Sequence, residues 1–509
     1  GKTRFGRAPT SCTWNSLDHQ PKMKLLSVVA GCAAFRVAPL KRRSVRLSSA
    51  ATLEVEGAVV DVGDLPYPND DKHGFDFGPS VQYWAEYVPP ATSGLDNLRA
   101  SAAQALRAGG AGGDAFRYWG YHLARATFFA GQGAAGVLAY QATAATAPYR
   151  GDVTTTEPSA TDDAPRTPLG DLPTLVDTMG GLFAEAVATY EQDFGEVRKG
   201  TFRLPWDMVD GPRNRQASPL YLADQARRYV GEAVSILTKR NRRDETDFGV
   251  WLDSASKKMN YPDYYLNNFH FQSDGWLSTD SAKVYETSTE TLFLGRQDSM
   301  QRLSLYPLAS WARANGVGEG AGKKLLEVAC GTGRHNAFLR DNYPAMDVVA
   351  TDLSQFYLEE ARGHADRWEQ FFKRDRPGQR PGAVAFAQAN TESLPYEDEA
   401  FDAVVNVYLF HELPSEARAA AAAEMARVVK PGGVVCWVDS VQRGDRPALD
   451  ANLGNFQYLN EPHYPTYIAE DVGRLFVDAG LRPHEKHVSS TSKCLSFIKP
   501  EAPLIEVKA

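Results

Sequence analysis

Leu325-Leu326-Glu327-Val328-Ala329-Cys330-Gly331-Thr332-Gly333-Arg334 decides how this chain folds. A short apolar run leads into a turn with two glycines, and a helical pattern follows. That pattern predicts a buried strand opening into a helix, with glycine letting a ligand approach the backbone because no Cβ intervenes. A dinucleotide site would need GxGxxG here. Gly331 and Gly333 are present, but Asn336 stands at the third position. Glu327, near the strand's carboxyl end, would repel a pyrophosphate. It suits a ligand carrying ammonium and sulfonium charge.

The pattern continues downstream. Apolar runs at 348–351, 383–388, 403–407 and 434–438 read as strands, and 356–372, 415–429 and 469–479 read as helices. Ser415 is placed as an N-cap, and Lys430-Pro431-Gly432-Gly433 as the stop of its helix. Runs at 484–488 and 493–498 look like a closing antiparallel pair. The expected fold is α/β: a Rossmann-like parallel sheet with a C-terminal antiparallel strand pair, preceded by a mostly helical N-terminal region. Asp352 ends the second strand, 25 residues after Glu327, where a carboxylate can accept both hydroxyl protons of a ribose. Ammonium, sulfonium and ribose together describe S-adenosylmethionine.

With these residues in order, the chain resembles class I S-adenosylmethionine-dependent methyltransferases. Residues 325–333 look like their first motif, Asp352 like the ribose-binding acid, and Asn390-Thr391 like the adenine-contacting pair. Phe401-Asp402-Ala403-Val404 and Lys430-Pro431-Gly432-Gly433 resemble two further landmarks. Ala329 stands for the usual first glycine, Glu327 for the commoner Asp, and Asn390 for a frequent Asp. The resemblance implies cofactor contacts from Glu327, Ala329, Cys330, Gly331, Gly333, Asp352, Leu353, Asn390, Thr391 and Asn406. A narrower resemblance, to a methyltransferase subfamily of cyanobacteria and plastids, rests on 261–272, Asp274-Gly275-Trp276-Leu277-Ser278, Phe410-His411-Glu412-Leu413-Pro414, Asp439-Ser440-Val441-Gln442 and Glu461-Pro462-His463-Tyr464.

Open sheets bind ligands beyond the carboxyl ends of their strands. His411 is the candidate general base because its ordinary pKa lies near neutrality. Glu412 either orients it or is an acid at the start of a helix. Tyr408, Asp439, His463 and Tyr464 are candidate acceptor contacts. So are Tyr264, Tyr265, His270 and Trp276 of an aromatic loop that suits a flat, lipophilic molecule such as a quinol, phenol or pigment precursor. Packing the upstream helices onto the sheet is the other reading of that loop. Arg334 and His335 read as solvated.

Fifty-five basic and 63 acidic residues give a net charge of −8, which argues against a nucleic-acid partner. Five scattered cysteines without a CxxC pair argue against a disulfide scaffold or a structural metal. Residues 1–52 read as a targeting region: Met23-Lys24, a brief apolar run, then a basic, Ser-containing stretch. Ala34-Phe35-Arg36-Val37-Ala38-Pro39 resembles the Phe-centred cleavage motif of proteins imported into complex algal plastids, which would make Met23 the start. Beyond it come a helical region of unknown role at 53–150, a linker at 151–170, a helical and aromatic lid at 171–309 and the cofactor-binding domain at 310–509. The uncharged stretch 126–149 is long enough to span a bilayer, but its Ala, Gly and Thr content reads as a buried or interfacial helix, with a true span as the alternative and peripheral membrane contact as a further use. A non-catalytic scaffold of a plastid membrane complex is the competing functional class.

Overall fold

Leu325 and Leu326 are both fully buried, one in each of two cores. The same alternation runs along Ala403, Val404 and Val405, and along Val434 to Val438, so every central strand is covered on both faces. The computed structural model describes residues 65–68, 70–89, 94–109, 113–146, 172–242, 261–267, 269–272 and 274–501. The targeting region and the linker at 151–170 lie outside the described residues.

Upstream elements are β1 (Asp76–Phe77), α1 (Pro79–Glu86), α2 (Gly94–Gly109), α3 (Gly113–Thr146), α4 (Leu172–Lys199), α5 (Trp206–Asp210) and α6 (Pro219–Arg242). Next come α7 (Thr279–Leu292), α8 (Gln297–Gln301) and α9 (Leu305–Ala314). The alternating part comprises β2 (Lys324–Val328), α10 (Arg334–Asn342), β3 (Asp347–Asp352), α11 (Gln355–Asp375), β4 (Val384–Gln388) and β5 (Phe401–Val407). It closes with α12 (Ser415–Val428), β6 (Val429–Ser440), α13 (Val472–Asp478), β7 (Arg482–Ser489) and β8 (Ser492–Ile498). One eight-stranded sheet results, in the order β1-β7-β8-β6-β5-β2-β3-β4. Its neighbours are parallel except at β6–β8 and β7–β8. The α/β class, the Rossmann-like sheet and the antiparallel pair are therefore as the sequence predicts.

Two local expectations are corrected. The N-cap of α12 is Pro414 and makes no side-chain cap, so Ser415 is the first helical residue; proline's fixed φ already sets the entry. Lys430 to Gly433 do not merely stop a helix. They form an irregularity inside β6, between the Phe401–Val429 and Ala403–Val434 pairs. Asp402 fixes it by accepting the Lys430 ammonium at 2.8 Å. A Cβ on Gly433 would lie 2.7 Å from the Asp402 carbonyl oxygen.

The sequence does not announce how the upstream chain joins the sheet. β1 adds to β7 in parallel, and Trp84 of α1 is buried in the larger core. Asp70 pairs with the buried ammonium groups of Lys486 (3.0 Å) and Lys493 (2.6 Å). The Ala-rich stretch belongs to α3, where Ala126 packs with Tyr190 of α4 and Gln132 donates to Thr291 Oγ1 at 2.8 Å. Among the described residues, no helix is long and apolar enough to cross a membrane.

Candidate active site

The carboxyl ends of β2, β3 and β5 open into a cavity of about 240 Å³, roofed by α7, α8 and the aromatic loop around Trp276. The floor starts at the glycine turn. Ala329 adopts φ 55°, a left-handed conformation that glycine takes freely and alanine only at a cost, so the residue departing from the usual motif is a strained one. Gly333, at φ 77°, caps α10 against α11, and a Cβ there would sit 2.8 Å from that of Ala361. Over Gly331 a Cβ would meet nothing, so the turn presents bare backbone to open space.

Asp352 closes the turn from the neighbouring strand. Its carboxylate accepts the Gly331 and Ser354 amides, each at 2.8 Å. Burial nevertheless raises its pKa to about 6. Glu327 is buried, with His335 Nδ1 at 3.1 Å and the Asn336 amide donating at 2.8 Å. His335 thus lies inside the site rather than in solvent. Asn390 accepts the Glu392 amide at 3.0 Å, while Thr391 Oγ1 has no partner. Ala329, Cys330 and Leu353 complete this side of the wall. Burial pushes the Cys330 thiol well up, which leaves it a packing residue.

Asn406 and Gly333 are not on the wall. Asn406 lies within the sheet, where its amide donates to the Val328 carbonyl at 2.9 Å and ties β5 to β2. A bare floor, the Asp352 carboxylate on the cavity wall and the unpartnered Thr391 hydroxyl form a donor and acceptor set that fits S-adenosylmethionine. Glu327, Gly331, Asp352 and Thr391 are the residues that would hold it.

The opposite end is a chain of acids and imidazoles. Asp439, beneath the surface, accepts the Leu409 and Phe410 amides and lies 2.6 Å from His411 Nδ1. His411 Nε2 lies 3.4 Å from Glu412, whose same oxygen is 3.1 Å from His270 Nε2. His270 Nδ1 is 3.0 Å from Glu461. Burial alone would lower the pKa of both histidines, but the carboxylates outweigh it, holding His411 well above its ordinary value and raising His270 to about 10. Both nitrogens of His411 face carboxylates, so the expected general base has no lone pair to offer. It stands as a cation.

Glu412 is buried, and burial opposes its ionisation, yet the two imidazoles lower it to about 2. Tyr264, Tyr265, Trp276, Tyr408 and Tyr464 line the same cavity, with Tyr265 and Trp276 packed by Leu353 on the Asp352 side. Trp276 stacks on Phe269, with ring centroids 4.3 Å apart. Tyr408 and His270 also take left-handed φ values, 57° and 56°. His463 is off the wall, edge-on to Tyr264, and burial lowers its pKa, helped by Arg418.

Sequence reasoning missed the third wall. Glu290 of α7 pairs with Arg125 of α3 at 2.9 Å, and burial with nearby Asp298 raises it to about 7. Arg334, expected in solvent, is buried between Asp207 and Asp298, the latter at 2.5 Å. A signal existed: Glu286 and Glu290, then Gln297 and Gln301, repeat at i, i+4 and mark polar faces on buried helices. Glu461 was also missed, although it stands two residues from His463. Among the described residues no cluster of ligating side chains could hold a metal ion.

Residues 325–433 match the family described as "Methyltransferase domain". The chain therefore carries a class I S-adenosylmethionine-dependent methyltransferase domain, with S-adenosylmethionine as its cofactor. It is 32% identical over 133 residues to the phthiotriol/phenolphthiotriol dimycocerosates methyltransferase of Mycobacterium tuberculosis, covering 26% of this chain and 43% of that protein. It is 32% identical over 157 residues to the demethylmenaquinone methyltransferase of Beutenbergia cavernae, covering 30% and 52% respectively. An S-adenosylmethionine-dependent methyltransferase from Aquifex aeolicus, solved by crystallography, is 18% identical, covering 39% of this chain and 93% of that one, with a TM-score of 0.27. The chain spans about half the length of the curated relatives it matches.

Proposed function

We propose that this protein transfers the methyl group of S-adenosylmethionine to a small, lipophilic, aromatic acceptor such as a quinol, phenol or pigment precursor. The observation that carries the reading is the continuity of one cavity: the Gly331–Asp352 cradle opens directly onto walls of Tyr264, Tyr265, Trp276, Tyr408 and Tyr464. The names of two relatives, one for a phenol-containing lipid and one for demethylmenaquinone, support an acceptor of this kind. A plastid setting is part of the proposal, supported by the basic, acid-poor sequence around Ala34-Phe35-Arg36-Val37-Ala38-Pro39.

The bound cofactor supplies a methyl carbon already activated by positive sulfur. The chain's own residues then act mainly by alignment. Asp352 and the bare turn fix the ribose end, and the aromatic loop excludes water and lays a flat acceptor in line. Such positioning is worth up to about 7–11 kcal/mol in favourable cases. His411, fixed by Asp439, places a positive charge where an acceptor oxygen becomes anionic.

Calorimetric titration of the full chain with S-adenosylmethionine tests the reading, beside Glu327→Ala and Asp352→Ala. Saturable binding weakened in both variants, followed by methyl transfer to members of a quinol and phenol series, is the expected result. A folded wild-type protein that does not bind the cofactor would refute it.

A further inference from the structure

Two imidazoles and two carboxylates face the acceptor end of the cavity: His270, His411, Glu412 and Glu461. Geometry removes three of them from the role of base. His411 has Asp439 on one nitrogen and Glu412 on the other. His270 likewise has Glu412 and Glu461. An imidazole between two carboxylates binds both its protons and has no lone pair left. Glu412 is flanked by both rings, and a carboxylate between two cations is a feeble base.

Glu461 differs in its flanks. It is 2% exposed and only one imidazole faces it, whereas Glu412 lies between two; its Oε2, like that of Glu412, has no hydrogen-bond partner. Burial raises its pKa, opposed by His270. A buried acceptor oxygen without a donor costs free energy unless a ligand completes it. Glu290 also has an unpartnered oxygen, but its carboxylate is held by Arg125 on the α3 side of the cavity.

We propose that Glu461 is the base that takes the proton of a hydroxylated aromatic acceptor, with His270 of the aromatic loop as its positioning residue. The step balances: the acceptor O–H bond breaks and its proton passes to Glu461 Oε2. The oxygen bonds the methyl carbon, and the carbon–sulfur bond breaks with its electron pair left on sulfur, giving S-adenosylhomocysteine. This assignment rests on the methyltransferase reading, and it narrows the acceptor to one bearing a hydroxyl near Glu461.

The test uses the full chain loaded with S-adenosylhomocysteine and two probes, 2-naphthol and its capped analogue 2-methoxynaphthalene. 2-Naphthol is a far stronger acid in its excited state, so naphtholate emission from the bound probe reports a proton acceptor within hydrogen-bond reach. The wild type is expected to bind 2-naphthol and show naphtholate emission. Glu461→Gln should lose that emission and bind 2-naphthol about tenfold more weakly, with unchanged affinity for 2-methoxynaphthalene. Glu461→Asp should restore part of the emission, and His270→Gln should reduce it.

Equal emission from wild type and Glu461→Gln would overturn the assignment. So would a loaded protein that binds neither probe, or that binds both alike in all variants. Failure of the wild type to bind S-adenosylhomocysteine would instead refute the underlying function, and retained binding in each variant shows that it folds.

Discussion

The two ends of the cavity are built in different ways. The cofactor end comes from one stretch, residues 327–391, in which successive strands deliver Glu327, Asp352 and Asn390 to a shared edge. The acceptor end and roof come from segments scattered between Arg125 and Thr491. Backbone geometry writes the first kind of site into local sequence, because a tight turn needs particular residues at particular spacings. Pairing between distant side chains makes the second kind, and leaves almost no local trace.

Adjacent residues give the sharpest way to break this contrast. Arg334 is nearly buried and carries ion pairs that join α10 to α5 and α8. Replacing it by Met would leave Asp207 and Asp298 buried without their main cation, an expected loss of about 3–5 kcal/mol. Gly333, its legible neighbour, should matter less: Gly333→Ala combines a left-handed alanine with a close contact to Ala361, an expected loss of about 2–3 kcal/mol. Urea unfolding of both variants checks the order. A glycine variant less stable than the arginine variant would reverse the comparison.

How much was legible follows the same division. The strands from β2 onward and the helices between them were readable because buried parallel strands are continuous apolar runs. Asp352 and Gly331 were readable by spacing. β1 was not, since two residues carry no periodicity and its docking depends on a partner some 400 residues away. Arg334 was misread because a charged residue in a first helical turn is ordinarily exposed, and nothing local reveals Asp298. His411 was read as the base, and the structure sets carboxylates against both of its ring nitrogens. Its neighbours Asp439 and Glu412 are visible in sequence, whereas their closing on both ring nitrogens is a tertiary fact. The charge-bearing segment around Glu461 was read as a motif, without the meaning that His270 gives it.

A third prediction sharpens the cofactor end. With its pKa at about 6, Asp352 carries its charge at neutral pH and loses it below that value. Affinity for S-adenosylhomocysteine should therefore fall as pH drops through about 6. Asp352→Asn should bind about tenfold more weakly at pH 7.5, losing one charge-assisted hydrogen-bond acceptor, and show no such fall. Calorimetry between pH 5 and 8 gives both answers, and a parallel pH response in the Asn variant would move the titrating group elsewhere.

The smallest expected effect lies at the acceptor end, in the docking of the aromatic loop. His270 has its pKa raised from 6.5 to about 10, so its contribution is complete below about 6.5 and is lost as pH rises through about 10. Glu412, lowered from 4.5 to about 2, contributes above about 4.5 and stops as pH falls through about 2. Glu461 has the opposite sign, its raised pKa making its charge a growing cost above the ordinary value of 4.5, which trims the gain on the alkaline side. Loop docking should thus be tightest between about pH 4.5 and 6.5, and should loosen toward pH 10 while the sheet, held by its two apolar cores, stays folded. Protease cleavage within 261–278 at pH 6.5 and pH 10 measures this against a reference site elsewhere in the chain. A modest, several-fold rise in relative cleavage is expected for the wild type, whereas His270→Gln should be cleaved readily at both values. An unchanged ratio in the wild type would mean that the Trp276–Phe269 stack and its apolar neighbours hold the loop, leaving His270 a role only toward Glu461.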